Sequence, residues 1–87
     1  MASVYDPPNT FYCHTYGLES NEDMYQFIGK NGAHFKYLTE KLEIDYIWWN
    51  KDINIIELWG PHNKLTNALA VMQKKLNLYM LTKSFEI

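Results

Sequence analysis

Phe27-Ile28-Gly29-Lys30-Asn31-Gly32 decides the reading of this chain, because two glycines interrupt a helical pattern that resumes directly after them. Upstream, Ser20-Asn21-Glu22-Asp23 offers an N-cap hydroxyl, an acid three residues on and negative charge in a first turn, so a short helix is predicted over Asn21 to Ile28. Downstream, Ala33 to Glu43 places Phe35, Leu38 and Leu42 at helical spacing, which predicts a second, amphipathic helix.

Working outward, Phe11 to Leu18 is aromatic-rich, contains threonine and lacks proline, and reads as a strand that Gly17 ends or bulges. Ile44 to Trp49 alternates Ile44, Tyr46 and Trp48 against Asp45, Ile47 and Trp49, and Ile53 to Trp59 is again strand-like. Asn50-Lys51-Asp52 joins the two as a tight hairpin. Gly60-Pro61 stops that strand. From Pro61 to about Leu81 the residues Leu65, Ala68, Leu69, Met72, Leu76 and Tyr79 mark one buried helical face. Pro7 and Pro8 bar a helix at the start, so residues 1–10 are expected to form an extended arm, residues 11–82 one domain and residues 83–87 a tail. The fold class is α+β, in the order strand, helix, helix, strand, strand, helix.

At 87 residues the chain has room for one core only. Its 47% apolar and 16% aromatic content separates it from disordered sequences. A single thiol, Cys13, excludes an internal disulfide and a four-cysteine zinc site. With no basic-then-apolar opening stretch and no long apolar run, an intracellular protein without a membrane segment is expected.

The formal net charge of −2 is unusual for a nucleic-acid binder, but the charge is unevenly spread. Residues 1–28 carry Asp6, Glu19, Glu22 and Asp23 and no base, whereas every lysine lies between Lys30 and Lys83. There is no arginine, so any cationic contact comes from lysine acting as a point charge, which implies modest affinity.

The stretch Phe27 to Gly32, set between two helices, resembles the hydrophobic-Ile-Gly-x-x-Gly loop of KH domains. Phe35-Lys36-Tyr37-Leu38 is similar to the start of that family's second helix. Tyr46 and Trp48, then Ile56, Leu58 and Gly60, then Leu65 and Ala68 resemble its later apolar positions, so the likeness covers about residues 11 to 76. The resemblance implies the type I KH fold, βααββα, with a three-stranded antiparallel sheet packed on three helices. It also implies binding of single-stranded nucleic acid, RNA in preference to DNA.

Two glycines suit that role because a sugar-phosphate backbone can approach a turn that lacks Cβ atoms, and the start of the second helix favours an anion. On the resemblance, Gly29, Lys30, Asn31 and Gly32 clamp the backbone and Lys36 adds charge. Ile28, Phe35, Ile44, Tyr46 and Trp48 then lie near an apolar groove for the bases. Two departures stand out. Tyr25 replaces the usual small residue of the first helix, and the hairpin is short where the family's loop forms the groove's other lip.

If Tyr46 and Trp48 face the helices, then Ile47, Trp49, Ile55 and Trp59 share the opposite sheet face. That would be an apolar surface for a second copy of the chain, for the N-terminal arm or for stacked bases. The alternative function is therefore a protein-interaction or dimerisation module on the same scaffold. Cys13-His14, His34 and His62 have no metal-ligand spacing, and Asn31 after Lys30 departs from the nucleoside-triphosphate loop, which needs Ser or Thr there and a wider glycine spacing. No catalytic set stands out. Neither an enzyme nor a cofactor is expected.

Overall fold

The structure is a computed structural model that describes residues 11–84. The expected arm over residues 1–10 and the end of the expected tail, residues 85–87, lie outside the described residues. The chain forms β1 (Phe11–Tyr16), α1 (Asn21–Ile28), a single 3-10 turn (Lys30–Gly32), α2 (Ala33–Lys41), β2 (Tyr46–Asn50), β3 (Ile55–Gly60) and α3 (His62–Ser84). The strands make one antiparallel sheet in the order β1-β3-β2, so β3 is central and both other strands are edges.

One face of that sheet carries the core. Ile47, Ile56 and Leu58 meet Met24 and Phe27 of α1, Phe35 and Leu38 of α2, and Leu65, Ala68, Met72 and Leu76 of α3, all buried in one cluster. The expected apolar stripe of the last helix is the stripe that packs, with Leu69 and Tyr79 at its half-buried margins. Helix α1 starts where its capping residues predict: the Ser20 hydroxyl accepts from the Asp23 N–H at 3.3 Å. Helix α3 runs past the boundary expected at residue 82, through Ser84, because its last turns are held against α1. The Tyr79 hydroxyl donates to Gln26 Oε1 at 2.8 Å, with Asp23 Oδ1 sharing that one proton at 3.3 Å, and the Lys83 ammonium pairs with the buried Asp23 carboxylate.

Several strand boundaries differ from the sequence expectation, for local reasons. β1 ends at Tyr16, not Leu18, because the Gly17 N–H turns to Asn54 O (3.0 Å) and Leu18 drops into the core. Helix α2 ends at Lys41, not Glu43. There the Ile44 N–H reaches back to Thr39 O (3.1 Å) and the Glu43 N–H to Glu40 O (3.2 Å), with Glu43 left-handed at φ 59°. This is a Schellman stop with glutamate at the position that usually holds glycine. The hairpin turn occupies Lys51–Asn54, and Asn54 takes the left-handed conformation at φ 55°, so β3 begins at Ile55 and leaves Ile53 exposed.

The helix stop also resets the phase of β2. Alternation carried forward from buried Ile44 puts Tyr46 and Trp48 inside, but Ile44 belongs to the cap and the strand begins only at Tyr46. The register pairs Ile47 with Leu58 and Trp49 with Ile56, both core residues of β3. Tyr46 and Trp48 instead lie on the face opposite the helices, paired with Trp59 and Glu57. The expected outer set of Ile47, Trp49, Ile55 and Trp59 is therefore split. Ile55 and Trp59 are on the outer face, while Ile47 is buried and Trp49 packs against the core.

Candidate nucleic-acid interface

The glycine turn is built by backbone conformations that few residues adopt. Gly29 sits at φ 86°, ψ 166°, a region populated almost entirely by glycine, and a Cβ there would meet the His34 amide nitrogen at 3.1 Å. Asn31 (φ 57°) and Gly32 (φ 75°) are both left-handed, and the space a Gly32 Cβ would take is open. The Gly32 N–H bonds Gly29 O at 3.0 Å and the Ala33 N–H bonds Lys30 O, which closes the turn tightly between the helices. Lys30 and Asn31 are exposed at its tip.

Behind the turn, Phe27 anchors the corner. Its ring meets His34 edge-on with centroids 5.0 Å apart, Phe35 at 6.2 Å and Tyr79 at 6.0 Å. His34 Nδ1 lies 2.7 Å from the Phe27 carbonyl oxygen. Because a carbonyl only accepts, this nitrogen carries the proton and satisfies an otherwise orphaned carbonyl at the end of α1. His34 is thus a structural cap between the helices, a role its isolated position in the sequence did not signal.

Alongside the turn, a groove of about 450 Å³ runs between α2 and β2, lined by Gly32, Phe35, Lys36, Thr39, Glu40, Asp45, Tyr46 and Ile47. Four residues expected at a binding site border it: Gly32 and Lys36 at the start of α2, Phe35 on the helix side, and Tyr46 on the strand side, although the Tyr46 side chain belongs to the outer sheet face. Gly29, Lys30 and Asn31 belong to the adjoining turn. Ile28 is half-buried against the core, and Ile44 is buried under the helix stop, outside the groove lining. Gly60 makes room for Ile44, since a Cβ there would stand 2.9 Å from the Ile44 Cβ.

Four lining residues were not expected. Ile47 was assigned to the other face through the phase error in β2. Thr39, whose hydroxyl donates to Phe35 O at 2.7 Å, and the carboxylates Glu40 and Asp45 carry no motif. Spacing alone could have flagged Glu40, which lies one helical turn after Lys36 on the same face of α2. Tyr25 lies outside the groove lining. Its ring meets Trp49 edge-on at 5.6 Å and its hydroxyl takes Lys51 Nζ at 2.6 Å, tying α1 to the hairpin turn.

The outer sheet face is strongly aromatic. Tyr12 stacks on Trp59 with centroids 4.4 Å apart, the Trp59 indole N–H donates to Glu57 Oε1 at 3.1 Å, and Tyr12, Tyr16 and Trp48 are exposed. No strand contains a lysine. Among the described residues no group of three His, Cys, Asp or Glu side chains could hold a metal ion, and no helix is long and apolar enough to cross a membrane. No family model, curated protein or solved structure matches the chain.

Proposed function

We propose that this chain is a single-stranded nucleic-acid-binding module of the type I KH kind, acting on RNA in preference to DNA inside the cell. The observation that carries the reading is the glycine turn, with Gly29 and Gly32 both at positive φ, opening at the start of α2 onto a groove with Phe35 and Ile47 in its walls. The element order and the β1-β3-β2 sheet order support the same reading. A phosphate backbone approaches the Cβ-free side of Gly32, Lys30 and Lys36 supply positive charge, and the bases enter the groove beyond.

The test is titration of labelled random single-stranded RNA and DNA, repeated with Lys30 and Asn31 both changed to Asp. Binding by the wild type that is lost in a folded double variant supports the proposal. Absence of binding by the wild type removes it.

A protein-interaction module on the same scaffold is the second reading. It is favoured by the outer face, where Tyr12, Tyr16 and Trp48 stand exposed on strands that carry no lysine to meet phosphates. Sedimentation of the wild type against Trp48→Ser separates the two readings. A self-associating species lost in the variant, with no nucleic-acid binding by either protein, favours the second.

A further inference from the structure

The groove has opposite charges at its two ends. Gly32 and Lys36 stand at the start of α2, while Glu40 and Asp45 line its far end, and helix rise separates Gly32 from Glu40 by about 12 Å. No ion pair joins Lys36 to Glu40, and neither carboxylate has a hydrogen-bond partner among the described side chains, so both are available to a ligand. Between the ends lie Phe35 of α2 and Ile47 of β2, the apolar part of the lining on the helix side of the sheet.

The geometry points to a base-reading role for the two carboxylates: Glu40 and Asp45 select a guanine over other bases in the strand that occupies the groove. This rests on the nucleic-acid reading above and deepens it. With phosphate held at the Gly32 and Lys36 end, the Watson–Crick edge of the base is directed toward the carboxylate end. An ionised carboxylate only accepts hydrogen bonds, through two oxygens side by side. Guanine presents two adjacent donors on that edge, N1–H and the N2 amino group. Cytosine and adenine each present one amino group beside a ring acceptor. Uracil presents one N–H flanked by two carbonyl oxygens, which the carboxylate repels. The expected order is guanine first, cytosine and adenine together, uracil last. A carboxylate at this end would merely repel a phosphate, so the same residues that recognise the base also oppose threading of the strand in the reverse sense.

The experiment uses the full chain and four hexanucleotides, UUUUUU, UUGUUU, UUCUUU and UUAUUU, with dissociation constants from fluorescence anisotropy at one salt concentration. The wild type is expected to bind UUGUUU about tenfold more tightly than UUUUUU, the gain from one good carboxylate-to-base pair in an open groove. The double variant Glu40→Gln, Asp45→Asn, its fold checked by thermal melting, is expected to shrink that ratio below about twofold. A wild type that binds all four equally overturns the inference and leaves the parent reading standing. So does a double variant that binds every oligonucleotide more tightly with the ratios unchanged, which would make the carboxylates simple repellers of phosphate. No binding to any of the four overturns both.

Discussion

The indole N–H of Trp49 donates to the side-chain oxygen of Asn54 across 2.9 Å, joining a strand of the hairpin to the end of its own turn. The Asn54 amide nitrogen donates to Leu18 O at 2.7 Å, and its backbone oxygen accepts from the Gly17 N–H at 3.0 Å. One side chain thus ties the end of β1 to the hairpin, from a left-handed backbone that asparagine tolerates better than most residues.

Asn54→Ala is expected to cost about 2–3 kcal/mol, because it removes two hydrogen bonds, strands the Trp49 indole and the Leu18 carbonyl, and places an ordinary residue at positive φ. Asn54→Gly keeps the backbone and loses only the side-chain bonds, so it should fall between the variant and the wild type. Urea denaturation of the three proteins checks the order.

Gly60→Ala should destabilise the fold by about 1–3 kcal/mol, since its Cβ would press on the Ile44 Cβ, the Ile44 Cα (3.1 Å) and the Asp45 nitrogen (3.2 Å), and backbone cannot yield as a flexible side chain does. Gly32→Ala meets nothing within 4 Å and pays only for positive φ, about 1 kcal/mol. A Gly60 variant as stable as the Gly32 variant would contradict the close approach of β3 to the helix stop.

Two ion pairs, one exposed and one with a buried carboxylate, set opposite pH limits. The hydrogen bond from Lys64, 2.5 Å from Glu43 Oε1, and the attraction of its charge hold the Glu43 carboxyl below its ordinary range. The stability this gives is full above the unfolded glutamate value, near pH 4.5, and is lost as pH falls through the lower folded value. Lys83 is raised, chiefly by its hydrogen bond to Asp23, so its contribution is full below the unfolded lysine value, near pH 10.5, and is lost as pH rises through the higher folded value. Carboxyl NMR titration of Lys64→Met should return Glu43 to its ordinary range. An unmoved Glu43 would show that Lys64 is not the cause.

Nucleic-acid affinity should be shallow in its salt dependence. If Lys30, Lys36 and the start of α2 neutralise about three phosphates, the logarithmic slope is about −2, and raising salt from about 50 to 200 mM weakens binding roughly 10 to 20-fold. A slope near zero would mean that the strand is held by stacking alone, with no phosphate at the turn.

The helices were legible in the sequence because their signals are local. Ser20 caps α1 within a single turn, and Phe35, Leu38 and Leu42 are buried as their spacing implies. The phase of β2 was not legible, because Glu43 ends α2 in a left-handed conformation without the glycine that would announce it, and a strand whose starting residue is misjudged exchanges its two faces. Trp49 added to the error. Its indole N–H is satisfied by Asn54, a partner that becomes visible only when the turn has closed. The glycine turn, Phe35 and Lys36 could be picked out as a set. Glu40 was legible only as the neighbour of Lys36 one helical turn on, and Asp45 was not legible at all, since its approach to the groove depends on how the chain leaves α2.

Phe27 touches His34 and Phe35 on one side of the corner and Tyr79 on the other, although Tyr79 belongs to the far end of α3. The posture of the glycine corner is therefore not a property of its own short loop. Trimming the chain's last helical turns would loosen the corner from behind, and grafting the loop alone onto another scaffold would leave its keystone ring unsupported.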